Sequence, residues 1–154
     1  MPSIRLADRT DIPAMAALLG ELFAQEHEFS PDRTVQVRGL SMLLELGDAV
    51  RILVAEQDGQ LVGMGVLHYA VSTALGDKVA TLEDVIVTKS ARGRSIGKQL
   101  MAAIIERARA DGAQRITLLT DHDNVAAQRF YASFGFERSL MVPLRRKLAQ
   151  TMRV

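Results

Sequence analysis

The 154-residue chain contains no cysteine. That excludes a disulfide framework, a thiolate nucleophile and cysteine-based zinc sites. It also lacks an excess of either charge: 19 basic residues stand against 18 acidic ones, a net of +1. So balanced a chain argues against a dedicated nucleic-acid binder, whose phosphate contacts need a basic surplus. No apolar run reaches the length of a membrane span, and the N-terminus has no signal-peptide apolar block; the expected compartment is the cytoplasm. His27, His68 and His122 share no metal-ligand spacing. Asp121-His122-Asp123 reads as a loop cap, and no metal site is expected.

What is present is an ordinary soluble composition, 48% hydrophobic and 24% charged, in a length suited to one domain spanning 1–154 with a real core. Periodicity gives the organisation. Ile4 to Leu6 reads as a short strand. Ile12, Met15, Leu18, Leu19, Leu22 and Phe23 recur at helical spacing up to about Glu26, and Thr34 to Leu46 fits a second helix. The period then changes. Val50 to Glu56 and Leu61 to Ala70 read as strands around the Asp58-Gly59 turn, and Ala80 to Val87 as a third. Ile96, Leu100, Met101, Ile104, Ile105 and Ala108 form one helical stripe. Ile116 to Leu119 reads as a strand, Asn124 to Phe134 as a helix, and Phe136 to Leu148 as mostly strand with an edge or bulge at Pro143. The order β-α-α-β-β-β-α-β-α-β implies an α/β (α+β) fold: a mixed, mostly antiparallel sheet with helices on both faces. The unit from Ala80 to Thr120 should place two parallel strands side by side.

The run Leu82 to Lys98 carries the most chemistry. A buried strand leads into Arg92-Gly93-Arg94-Ser95-Ile96-Gly97-Lys98 and then a helix. Such an order aims consecutive N–H groups and a helix N-terminus at one point, which suits a diphosphate. A solvated helix start with ordinary turn glycines is the alternative. The spacing is not that of a P-loop, since three residues rather than four separate Gly93 from Gly97 and Gln99 follows Lys98; no G-x-G-x-x-G string occurs.

Arg92 to Gly97 resembles the Arg/Gln-x-x-Gly-x-Gly/Ala signature of the GCN5-related N-acetyltransferase (GNAT) superfamily, with Ser95 where glycine is usual. Asn124 to Phe136 resembles a second family block, Asn-x-x-Ala-x-x-Phe-Tyr-x-x-x-Gly-Phe, in the right order and at fitting distance. The resemblance covers essentially the whole chain. It implies an acetyl-CoA (coenzyme A) donor. By that likeness Val85, Ile86 and Val87 offer backbone groups to the pantetheine arm and the acyl carbonyl, the amides of Gly93 to Lys98 hold the pyrophosphate, and Asn124 contacts the cofactor. Tyr131 matches a tyrosine that protonates the departing thiolate, and Glu83 a glutamate assigned as base in diamine acetyltransferases.

The residues make chemical sense of this reading. Acyl transfer to an amine needs a base, oxyanion donors and an acid. Glu83 on an apolar strand can accept the proton if partly buried. The N–H of Ile86 or Val87 can serve the oxyanion, and a neutral tyrosine can donate. Direct attack agrees with the missing cysteine. Strict alternation would turn Asp84 to the face opposite Glu83, unless the strand is bulged. Glu83 could instead be a surface carboxylate, Tyr131 a core residue, Asn124 an N-cap. The acidic stretch Glu26 to Asp32 hints at a cationic small-amine acceptor, against a plain solvated loop. A CoA-binding module without catalysis and a peptide acetyltransferase stay open. A homodimer is consistent with the family likeness.

Overall fold

The structure, a computed structural model, describes residues 1–26 and 29–149. Met1–Asp121 forms one compact unit and His122–Val154 a second.

In the first unit the element order is β1 (Ser3–Leu6), α1 (Ile12–Gln25), α2 (Arg33–Glu45), β2 (Val50–Gln57), β3 (Gln60–Ser72), β4 (Asp77–Val87), α3 (Ile96–Ala110) and β5 (Ile116–Leu118). The sheet runs β1-β2-β3-β4-β5. Neighbours are antiparallel except β4 and β5, which are parallel as expected from the crossover through α3. The Asp58-Gly59 turn has φ of 53° and 77° and joins Gln57 to Gln60, the two-residue hairpin its sequence calls for.

Alternation along the strands sorts the core. Met64 and Val66 of β3 pack with Val54 of β2 and with Met15, Leu18 and Leu19 of α1 and Leu40 of α2. The intervening Gly63 and Gly65 face Leu100 and Ile104 of α3 instead. α1 and α3 therefore cover opposite sheet faces. Gln36 of α2 is 7% exposed; its side chain donates to the Ala16 carbonyl at 2.9 Å and accepts from the Asp32 N–H at 2.8 Å, tying the two helices together.

At the far end of α3, Asp111 acts as an anchor. Its carboxylate accepts from Tyr69 Oη at 2.5 Å, from Arg51 Nε at 3.2 Å and from the Arg107 guanidinium. Lys78 Nζ donates to the Asp111 carbonyl at 2.9 Å. Hydrogen bonds from Arg107 above all hold the Asp111 carboxyl well below the usual carboxylate range, and burial with the Asp111 charge beside it pushes the Tyr69 phenol up.

The second unit holds α4 (Val125–Ala132), capped by Asn124, whose Oδ1 accepts from the Ala127 N–H at 3.0 Å. Gly135 closes it at φ 89°, with the Phe136 N–H reaching back to the Tyr131 carbonyl. The final strand expected over Phe136 to Leu148 is not formed: residues 136–149 carry no strand and join no ladder. Leu140, Met141, Val142 and Leu144 are exposed, and Pro143 has no N–H to give. Apolar alternation marks a face able to pair, but only a partner strand makes it a strand. Among the described residues, no helix is long and apolar enough to cross a membrane and no cluster could hold a metal ion.

Candidate active site

β4 pairs with β5 only from Ala80 to Leu82, opposite Ile116 to Leu118. Beyond Leu82 the strand runs on to Val87 with β3 on one side and, among the described residues, no strand on the other. The Thr88 N–H donates to the Val62 carbonyl on the β3 side. By alternation Ile86 also faces β3, and the N–H and C=O of Val87 face the open edge. Of Ile86 and Val87, Val87 is thus the one whose amide faces the open edge.

The open edge leads into the turn that precedes α3. Gly93 has φ 80° and Ser95 has φ 62°, and left-handed residues of this kind turn successive amides toward one side. No side chain caps α3. Gln99 N–H takes the Ser95 carbonyl, and among the described residues no protein acceptor takes the amides of 93–98. Uncapped N–H groups at a helix start suit a diphosphate, so the residues present fit the pyrophosphate of a coenzyme. Arg94 and Lys98 are exposed beside them. Arg92 turns back into the protein: its Nε donates to the Val87 carbonyl at 2.9 Å and its Nη2 lies 3.9 Å from Glu21. Ser95 holds the left-handed geometry that explains why glycine is usual there.

Upstream, β4 is bulged. Met64 faces Ile86 and Val66 faces Glu83, so Gly65 alone opposes Asp84 and Val85. Asp84 takes the left-handed conformation at φ 56°. The bulge cancels the alternation that would have turned Asp84 away. Glu83 is the exposed member of the pair, with Oε2 3.4 Å from His68 Nε2. Asp84 is the sheltered one, and its pKa is pushed up to about 6. Burial is the main cause; the charges of Glu83 and Glu26 add to it, and His68 opposes it. Alternation along the sequence does not place Asp84, because a bulge is a relation between strands. Two adjacent carboxylates opposite a glycine were the available hint. His27 and Glu28, in the acidic stretch after α1, lie outside the described residues.

Asn124 and Tyr131 belong to the second unit. Asn124 is an N-cap there. Tyr131 makes edge-on ring contacts with Phe130 and Phe136, centroids 5.5 and 5.9 Å apart.

The acetyltransferase (GNAT) family model matches residues 13–136, across both units. The chain is 32% identical over 138 residues to the uncharacterized N-acetyltransferase YhfO of Bacillus subtilis (strain 168), covering 88% of this chain and 89% of that protein. It is 29% identical over 136 residues to the aminoalkylphosphonate N-acetyltransferase of Salmonella typhimurium, covering 88% and 85%. A solved Trypanosoma brucei acetyltransferase superposes with a TM-score of 0.75 at 25% identity, covering 96% and 100%. The edge of β4 beyond the end of β5, the uncapped turn and these likenesses agree: the chain belongs to the acetyltransferase (GNAT) family and is an acyltransferase.

Proposed function

We propose that the protein transfers an acetyl group from acetyl-CoA to the primary amine of a small acceptor by direct attack. The observation that carries this reading is the row of amides from Gly93 to Lys98, unclaimed among the described residues, at the end of a strand edge that none of those residues pairs with. The bound donor supplies an activated thioester. The amides of the turn hold its diphosphate, with Arg94 and Lys98 adding positive charge. The open edge of β4 at Val85 to Val87 takes the pantetheine arm as a neighbouring strand would be taken.

Asp84 acts as the base. A carboxyl with a pKa near 6 is ionised at neutral pH yet basic enough to accept a proton from an ammonium group on its way to attack, directly or through water. Glu83 raises that basicity by its charge and lies 3.4 Å from His68 Nε2. The Val87 N–H stabilises the oxyanion that develops on the acyl oxygen. Tyr131 gives its hydroxyl proton to the sulfur as the C–S bond breaks and the N–C bond forms. Asn124 caps α4 and contributes to donor binding. The acceptor is a small amine, in keeping with the aminoalkylphosphonate named for the Salmonella relative.

The test is thiol release from acetyl-CoA across a panel of small amines and peptides. Turnover on small amines, lost in Tyr131→Phe and Asp84→Asn, supports the proposal. Tight CoA binding with no turnover on any amine contradicts it.

A further inference from the structure

Glu21 sits in the third turn of α1, far in sequence from the diphosphate turn, yet it holds the start of that turn. Thr88 Oγ1 donates to Glu21 Oε2 at 2.8 Å, and the Lys89 N–H donates to Oε1 at 2.7 Å. The Arg92 guanidinium, fixed by the Val87 carbonyl, stands 3.9 Å from the same oxygen. One carboxylate thus gathers a side chain, a backbone amide and a cation from the segment between the end of β4 and Gly93.

Its own position is firm. α1 presses Met15, Leu18 and Leu19 into the core, and Gln36 bonds its backbone from the other side. The far end of the turn is equally firm, because Ile96 is 1% exposed. Between these two anchors the chain must keep Gly93 and Ser95 at positive φ, which a serine does not adopt unaided. Convergent amides bind an anion well only if they are held in place before it arrives.

A carboxylate near a diphosphate would ordinarily weaken binding by repulsion. Here two hydrogen-bond donors and the Arg92 cation stand around it and offset its charge. We infer that Glu21 is a positioning residue for the donor site: it fixes the diphosphate turn from α1 and thereby sets affinity for the nucleotide end of the donor, not the rate of acyl transfer. This inference rests on the turn holding the diphosphate, as proposed above.

The experiment compares wild type with Glu21→Ala, Glu21→Gln and Thr88→Val. Calorimetry reads the Kd for CoA, and steady-state assays use acetyl-CoA and acetylpantetheine, a donor without the diphosphate. Glu21→Ala should raise the CoA Kd and the acetyl-CoA KM about tenfold, the scale of one lost charge-assisted contact. Its kcat, and its kcat/KM with acetylpantetheine, should stay within about twofold of wild type. Glu21→Gln keeps an acceptor for Lys89 and should recover part of the loss. Thr88→Val, which removes one donor and leaves the fold's core untouched, should raise Kd about threefold.

An unchanged or tighter CoA Kd in Glu21→Ala overturns the inference, as does an equal loss with both donors, which would mean a general structural role. If wild type itself gives no heat with CoA, the reading of the turn fails first and the inference falls with it.

Discussion

A Cβ on Gly65 would stand 2.6 Å from Cδ1 of Ile104, a residue fully buried in α3. Gly65 is also the single β3 residue opposite the two bulged residues of β4. The missing side chain lets α3 lie close against the strand just where the strand distorts. Gly65→Ala is therefore expected to cost about 1–3 kcal/mol by overpacking. Ile104→Val removes the offending methyl, at about 0.5–1.5 kcal/mol alone. In urea unfolding the double variant should be more stable than the two single losses added together imply. Plain additivity would show that the two positions do not meet.

Asp84 ties activity to stability with opposite signs. As the proposed base it must be ionised, so kcat/KM should rise with pH through about 6. Asp84→Asn should lower turnover by about 10²- to 10⁴-fold and abolish that limb. For stability, a folded pKa above the unfolded value near 3.8 means the fold prefers the protonated form. Below about pH 4 both states hold the proton; between 4 and 6 the unfolded chain has lost it and the fold has not, so stability falls as pH rises. Asp84→Asn, which also tolerates positive φ, should match wild type at pH 4 and exceed it by about 2–3 kcal/mol at pH 7. Chemical denaturation at the two pH values checks this; an equal difference at both would refute it.

What the sequence makes legible depends on the range of each interaction. The Asp58-Gly59 hairpin, the helical stripes and the glycine-containing turn ahead of α3 were legible, because periodicity and turn chemistry act over a few residues. Asp84 was not, since its placement depends on how β4 pairs with β3. Glu21 was not, because its partners lie 67 and 68 residues away and a lone glutamate on an amphipathic helix carries no signal. Phe136 to Leu148 misled for the opposite reason. Its local pattern fits a strand, but among the described residues no strand pairs with it.

Ser95 holds φ 62° without glycine's freedom. The left-handed conformation costs about 1–2 kcal/mol in a residue with a Cβ, and glycine's looser unfolded chain returns about 0.5–1 kcal/mol of that. Ser95→Gly should thus be neutral or stabilising by up to about 1 kcal/mol in thermal unfolding, with CoA affinity unchanged or tighter. A large loss of affinity would instead make the hydroxyl a ligand.

The Asp111 anchor should matter for the fold and not for catalysis. α3 spans about 22 Å, which separates Asp111 from the amides at its other end. Asp111→Asn leaves Arg51 and Arg107 without their carboxylate and should cost about 2–4 kcal/mol at pH 7. A depressed folded pKa stabilises above the unfolded value and is lost as pH falls below it. The gap from wild type should narrow as pH drops below about 4. kcat at 25 °C should be unaffected; a large fall would mean that the two ends of α3 are coupled.

Backbone amide resonances followed during a titration with coenzyme A test the diphosphate site most directly. The N–H signals of Gly93 to Lys98 should move together, saturate at one equivalent, and shift more than any others outside the Val85 to Val87 edge. Binding that leaves those six amides in place while shifting signals elsewhere, or no binding at all, would contradict the assignment of this turn as the donor site.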